Sequence, residues 1–390
     1  MESVQHVLTP EGWALLNALP PYDPVTVDAL QRELRRTHPP ELVAAALTQS
    51  RLRQAAHAKF GDFAARMVFT DTGLQQATRL AVAARHAARY RDAGLTRVID
   101  LTAGLGADAL AMAGLGLAVT AVEADETTAA CATVNLMPFP NARVIHGDAL
   151  AQDLSGFDAA FADPARRTAR GRTFDPAAYS PPLDAVLDLR HRLPLGVKVA
   201  PGIPHQAIPA EAHAEWVSVD GAVVEAGLWF GALAESPGRA ALVLARGQAH
   251  RLVASSSGND AAPQAEVAPL GRYLYEPDGA VIRAGGVAAL AERLAVGTVA
   301  PGIAYLTGDR LEVTAFAQAF EVLESVPVKQ LGPYLREKSI GHLEIKKRGM
   351  DVVPDQLRTR LKLRGDGSAT VILTRVGARH TALLVRRMAV

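Results

Sequence analysis

The segment VIDLTAGLGADAL, residues 98–110, restricts the fold more than any other part of the chain. A short apolar run passes directly into two glycines and then into an alanine-rich helical pattern, the strand–turn–helix transition that opens a βαβ unit. Further short apolar or β-branched runs follow in LAVTAVEA, ARVIHGDA, FDAAFADP and LGVKVAPG. Helical patterns separate the first of these runs, which predicts parallel strands joined by crossover helices and an α/β fold. After them EWVSVD, AVVEAGLWFG and RAALVLARG are joined by short turns only, which predicts antiparallel strands closing the same sheet.

A chain of 390 residues, 49% hydrophobic and 21% charged, has material for a large core and for more than one domain. Its single cysteine, Cys131, excludes a disulfide framework and any multi-cysteine metal site. No run approaches the roughly 18 uninterrupted apolar residues of a membrane span. The start, MESVQHVLTPEGW, lacks the basic and apolar stretches of a secretory signal, so a cytoplasmic location is the expectation.

Residues 1–75 read as helical. In LTPEGWALLNAL, Thr9 is placed to cap, with Pro10 at the first helical position and Glu11 in the first turn. PELVAAALTQSRLRQAAHAKF reads as a second helix, and LQQATRLAVAARHAARYRDAG as a third that stops at Gly94. The predicted sheet domain covers 76–253. ASSSGNDAAPQA, within 254–265, reads as a linker, followed by a small unit over 266–312 and a basic unit over 313–390.

Within the opening segment Gly104, Gly106 and Ala109 satisfy the G-x-G-x-x-G/A spacing of a dinucleotide turn, and Glu123 ends the next strand, where a carboxylate would accept from ribose hydroxyls. A pyrophosphate would sit at the helix N-terminus. Here, however, Asp108 lies in the first helical turn and Asp100 at the strand end, and two carboxylates repel a phosphate while suiting a cation. S-adenosylmethionine, which carries an ammonium and a sulfonium, fits better. The spacing Asp100-x-x-x-Gly104-x-Gly106 resembles that of class I methyltransferases, and Thr102 inside the turn is counted with the cofactor residues. Asp108 has the alternative of a helix-dipole partner. Asp148, in HGDAL, is a candidate for the adenine amino group or a plain capping residue, and Asp163 ends the fourth strand on the same rim.

The segment FADPARR resembles the Asp/Asn-Pro-Pro-aromatic motif of enzymes that methylate exocyclic amines of bases. Such a nitrogen is a poor nucleophile because its lone pair is delocalised into the ring. The Asp163 carboxylate and the Pro164 carbonyl, accepting its two N–H groups, would orient it and favour charge development. Arg166 stands where the motif has an aromatic residue, and its guanidinium plane would stack on a base or grip a phosphate; Arg167 is the second cation there. Lys198, flanked by valines in GVKVAPG, is costly in a buried strand unless it reaches a partner such as Asp163, a phosphate, or solvent at an edge.

From Lys329 onward, fourteen lysines and arginines face five acids, a local net of +9 in a chain whose total is +1. Such asymmetry suggests a partner surface for RNA or DNA phosphate, with a plain solvated face as the alternative, and Lys346, Lys347 and Arg348 are its densest run. Tyr334 is the one aromatic among the charges, which favours shape and phosphate contact over base stacking.

Together KFGDFAARMVFTDTGLQQATR, VIDLTAGLGADALAMA, FADPARR, GVKVAPGIPH, VVEAGLWFG and SIGHLEIKKRG resemble bacterial class I S-adenosylmethionine-dependent methyltransferases that carry a C-terminal THUMP-like domain. The resemblance implies a Rossmann-like catalytic sheet, a small ferredoxin-like unit over 266–312 and a THUMP-like domain over 313–390. It also implies a structured RNA substrate, tRNA or rRNA, and a methyl donor that needs no metal. Gln76, Ala77, Thr78 and Arg79 would border the pocket or form a plain helix face. Methylation of DNA, protein or a small molecule, and a non-catalytic RNA-binding role, stay open at this point.

Overall fold

The computed structural model describes residues 3–165, 167–168, 171–172 and 179–388, with no side chain described from 166 to 178. The chain divides into one unit of Met1–Val199 with Trp229–Ala234, and a second of Ala200–Leu228 with Glu235–Val390.

The first unit opens with helices α1 (Ser3–Val7), α2 (Pro10–Ala18), α3 (Val27–Leu34) and α4 (Pro40–Phe60). Thr9 Oγ1 accepts the Gly12 N–H at 3.1 Å and Pro10 stands in the first turn, as the sequence predicts. The expected third helix is broken in two. Helix α5 (Asp71–Gln76) ends, residues 77–79 run without regular structure, and α6 (Leu80–Asp92) begins afresh. The cause is a tertiary clasp that Lys59, near the end of α4, places on the end of α5.

Strands β1 (Arg97–Asp100), β2 (Ala118–Glu123), β3 (Ala142–His146), β4 (Ala159–Ala162) and β5 (Leu195–Val199) pair in the order β5-β4-β1-β2-β3, all parallel. Helices α7 (Ala107–Gly114) and α8 (Glu126–Leu136) are the crossovers after β1 and β2. The chain runs outward in one direction from β1 to β3 and then returns to build β4 and β5 on the other side. A topological switch point, where open α/β sheets bind ligands, therefore lies beyond the carboxyl ends of β1 and β4. The burial of β4 and β5 is continuous, as parallel strands covered on both faces require. Trp229 and Phe230, the end of β7 (Ala222–Phe230), belong to this unit, and Trp229 packs with its ring centroid 5.3 Å from that of His86.

In the second unit β6 (His213–Val219) turns through Asp220 and Gly221, both at positive φ, into β7. Strands β8 (Gly238–Ala245) and β9 (Gln248–Ser255) are antiparallel, but β8 runs parallel to β6. The expected all-antiparallel closure therefore fails at this pair, because the connection 231–237 carries the chain back before β8 starts. The stretch expected to be a loose linker is anchored: the fully buried Arg239 donates to the carbonyls of Gly258 at 3.2 Å and Asp260 at 2.7 Å.

A second sheet holds β10 (Tyr273–Pro277), β11 (Gly297–Thr298), β12 (Leu306–Gly308), β13 (Ala317–Pro327), β14 (Ile340–Lys347), β15 (Gly367–Val376) and β16 (Arg379–Arg387), in the order β11-β12-β10-β13-β16-β15-β14. The segment expected as a separate unit over 266–312 contributes three strands to it. Tyr273 to Pro277 pair with Glu321 to Ala317, and Leu274 shares one core with Phe320, Ile372 and Leu383. Helices α9 (Gly279–Ala284) and α10 (Val287–Leu294) follow β10. Helices α11 (Leu331–Glu337) and α12 (Pro354–Leu361) contribute Leu331, Leu335 and Leu361 to a second core with Val371, Leu373 and Leu384. Among the described residues no helix is long and apolar enough to cross a membrane.

Candidate active site

The turn after β1 is shaped by two glycines at positive φ, Gly104 at 57° and Gly106 at 84°, which residues with a Cβ adopt only at a cost. Above Gly104 there is open space, since a Cβ placed there would meet nothing within 4 Å. Glu123, at the end of β2, accepts from the Gly104 N–H at 2.9 Å and from the Asp125 N–H at 2.8 Å. Its carboxylate thus joins the glycine turn to the start of α8. From beneath, the buried Asn135 of α8 donates to the carbonyls of Leu105 at 3.0 Å and Val68 at 3.1 Å, and accepts the Val68 N–H at 2.8 Å. Residues 67–69 are clasped a second time by the buried Gln49, which exchanges two hydrogen bonds with the Phe69 backbone. Neither amide could be found from the sequence, because neither belongs to a motif.

Asp100 ends β1 with 1% of its surface exposed. Burial pushes its carboxyl well above the usual range, Asp108, Asp163 and Glu123 push it further, and the Thr102 N–H at 3.2 Å opposes them. Asp108 has a different partner from the one sequence assigned. Its Oδ1 lies 2.7 Å from Nδ1 of His86, and both side chains are buried. Burial works against its charge, yet hydrogen bonding and the positive charge of His86, with Lys198 beyond, hold the carboxyl below its ordinary value. Asp108 is committed to fixing α7 against α6. Asp148 is exposed and caps the turn after β3 by accepting the Leu150 N–H at 2.8 Å.

At the switch point, Thr102 Oγ1 accepts the Asp163 N–H at 2.5 Å, tying the ends of β1 and β4. Lys198 extends from β5 with only 7% of its surface exposed, and its Nζ donates to Asp163 Oδ2 at 2.5 Å and to Thr78 Oγ1 at 2.9 Å. The lysine that looked costly in sequence is an ion-pair partner of the candidate catalytic aspartate. Pro164 is buried, and Ala165 exchanges two backbone hydrogen bonds with Ser180. Arg166 lies outside the described residues, and of Arg167 only the backbone is described, in a two-residue strand.

The segment 77–79, where the expected helix breaks, is held by Lys59. Its ammonium donates to the carbonyls of Leu74 at 2.8 Å, Gln75 at 2.9 Å and Ala77 at 2.8 Å. These acceptors close the end of α5 and turn the chain so that Thr78 meets Lys198. Burial, with Lys198 and Arg79 nearby, lowers the Lys59 pKa to about 8.

In the second unit the basic run is split. Lys346 Nζ pairs with Glu276 at 2.6 Å and lies over Phe320, and the Arg348 guanidinium lies over Tyr305. Lys347 is exposed between them, as the period of two along a strand requires. The run of three cations is therefore one surface cation and two packed ones.

These features define a class: a parallel sheet ordered β3-β2-β1-β4-β5, a glycine turn after β1, an acid at the end of β2, and an Asp-Pro segment after β4. The donor set around the turn fits S-adenosylmethionine, because the Glu123 carboxylate, and Asp100 once a bound cation favours its ionised form, stand beside a glycine turn with open space above Gly104. Two relatives from Mycobacterium tuberculosis strains, named as uncharacterized S-adenosylmethionine-dependent methyltransferases, are 36% identical over 340 residues, covering 84% of this chain and 91% of theirs. The crystal structure of a protein assigned as a methyltransferase from Porphyromonas gingivalis W83 superposes with a TM-score of 0.73 at 22% identity, over 95% of this chain and all of that one. A family described as THUMP domain-like matches residues 317–387, and a domain of unknown function matches 1–56. The chain belongs to the S-adenosylmethionine-dependent methyltransferases, with a Rossmann-like class I sheet and S-adenosylmethionine as its methyl donor.

Proposed function

We propose that this methyltransferase modifies an exocyclic amine of a base in structured RNA. The observation that carries the reading is the ion pair of Asp163 and Lys198 at the end of β4, beside the Asp100 end of β1. Bound S-adenosylmethionine supplies an electrophilic methyl group on a sulfonium. Asp100 and Glu123 would hold it, with Thr102, Gly104 and Gly106 forming the turn it rests on and Asp148 near the adenine. Asp108 supports this turn through His86 rather than by direct contact. Lys198 pairs with Asp163 and fixes it, so its carboxyl group and the Pro164 carbonyl accept the two N–H groups of the amine and direct the nitrogen lone pair. The proton that leaves nitrogen as the new C–N bond forms passes toward Asp163. Arg166 and Arg167 would grip the nucleotide from the segment after Pro164.

RNA as the acceptor is supported by the THUMP-like match and by exposed cations in the second unit, among them Lys347, Arg360, Lys362, Arg364 and Arg379. Incubating the protein with methyl-labelled donor and total RNA, followed by nucleoside analysis, tests the reading. Label in an N-methylated base supports it. Cofactor binding with label absent from RNA rejects it in favour of another acceptor.

A further inference from the structure

Lys59 opens the stretch KFGDFAARMVFTDTGLQQATR but stands outside the glycine turn and the Asp-Pro segment, yet its three hydrogen bonds end on the segment that carries Thr78. Each acceptor is a backbone carbonyl at the C-terminal end of α5, from Leu74 to Ala77. These are groups a helix end leaves without intrahelical partners, and a cation there also meets the negative end of the helix dipole. Next to the clasp, Thr78 is 5% exposed and accepts from Lys198 Nζ at 2.9 Å, while the same Nζ holds Asp163. Arg79 is held by a separate bond to the Ala58 carbonyl at 3.1 Å, so both sides of Thr78 are tied to the end of α4.

We propose that Lys59 is a positioning residue for methyl transfer: it fixes the break between α5 and α6 so that Thr78 aims Lys198 at Asp163. The inference rests on the reading of Asp163 as the acceptor-orienting group. A fully apolar anchor could close the helix end sterically, but it could not bind three carbonyls that converge on one point. The charge matters as well as the shape, because a neutral amine donates two hydrogen bonds and an ammonium three. The charged groups facing Lys59 are Lys198 from β5 and Arg79 after α5. Both are cations and both favour loss of its proton. Raising the pH through about 8 therefore loosens the clasp.

The test uses the full chain with Lys59→Met and Lys59→Arg. Lys59→Met lowers kcat by about 10- to 100-fold, the cost of a small misplacement in a preorganised site. It leaves the affinity for S-adenosylhomocysteine within about two-fold, because Asp100, Glu123 and the glycine turn are untouched. The wild type loses rate on an alkaline limb near pH 8, and Lys59→Arg keeps most of the rate and lacks that limb. Hydrogen exchange at amides 76–79 quickens in Lys59→Met while exchange in β2 is unchanged. Wild-type kcat and pH profile in Lys59→Met, or an equal loss of cofactor affinity, would overturn the proposal. If the wild type labels no RNA, the reading of the acceptor fails, and the exchange at 76–79 alone then decides the role of Lys59 as a clasp. Unchanged exchange there overturns it.

Discussion

Replacing Asn135 with alanine tests whether the glycine turn is held from below. The side chain is 3% exposed and makes three hydrogen bonds to the backbone, two at Val68 and one at the Leu105 carbonyl. Val68 and Leu105 are themselves buried, so water cannot replace the missing partners without opening the packing. A buried backbone group left unpaired costs roughly 1–3 kcal/mol, and the Val68 N–H loses its partner outright. The two carbonyls each lose one donor and contribute less. The sum is on the order of 3 kcal/mol, which lowers the melting temperature of a unit of this size by about 6–12 °C. Asn135→Asp is expected to be at least as damaging. It keeps the acceptor for Val68 but turns an oxygen toward two carbonyls. Because Leu105 lies between Gly104 and Gly106, Asn135→Ala also weakens cofactor binding, by about ten-fold for a loss near 1.4 kcal/mol. Urea unfolding and calorimetry with S-adenosylmethionine read the two effects. A stability loss below about 1 kcal/mol, or an unchanged cofactor affinity in Asn135→Ala, would mean that Asn135 does not hold the turn.

Three further outcomes follow from the charges. Asp100 has a carboxyl raised above its ordinary value and, in the proposed site, would face the cationic donor, so binding there favours the ionised form and releases a proton. Affinity for S-adenosylmethionine is therefore lost as pH falls through the raised value, more steeply than for the uncharged thioether product. Calorimetry in buffers of different ionisation heat shows the release, and Asp100→Asn abolishes it. In the second unit, Lys347→Glu with Arg360→Glu weakens RNA binding and flattens its dependence on salt by about one unit of slope for each phosphate no longer neutralised, with cofactor affinity unchanged. Gel shift at several salt concentrations checks this. Removing Lys346 instead leaves Glu276 without its lysine partner and acts on stability, visible as a lowered melting temperature.

The strand–turn–helix repeat was legible because parallel strands buried on both faces leave continuous apolar runs, and the runs TRVIDL (96–101), LAVTAVEA (117–124) and LGVKVAPG (195–202) contain β1, β2 and β5. The Asp163–Lys198 pair was legible for a physical reason too: a lysine among valines has to find a partner. What local patterns could not show is where long-range contacts override them. LQQATRLAVAARHAARYRDAG has helical periodicity throughout, yet Lys59 draws the carbonyls of 74, 75 and 77 together and breaks it. The KKR run looked like one patch because sequence proximity ignores the strand period that sends Lys346 and Arg348 to Phe320 and Tyr305. Asp108 looked like a ligand for the donor because His86 is 22 residues away in sequence and 2.7 Å away in space.

That Asp163 orients a base amine for methylation is tested by comparing wild type with Asp163→Ala, which removes the acceptor, in transfer of labelled methyl to RNA. Label is expected in RNA from the wild type, with a loss of about 100-fold or more in kcat for the variant and donor affinity within about two-fold of wild type. Equal rates for the two proteins, both with donor bound, would leave Asp163 no part in orienting the amine.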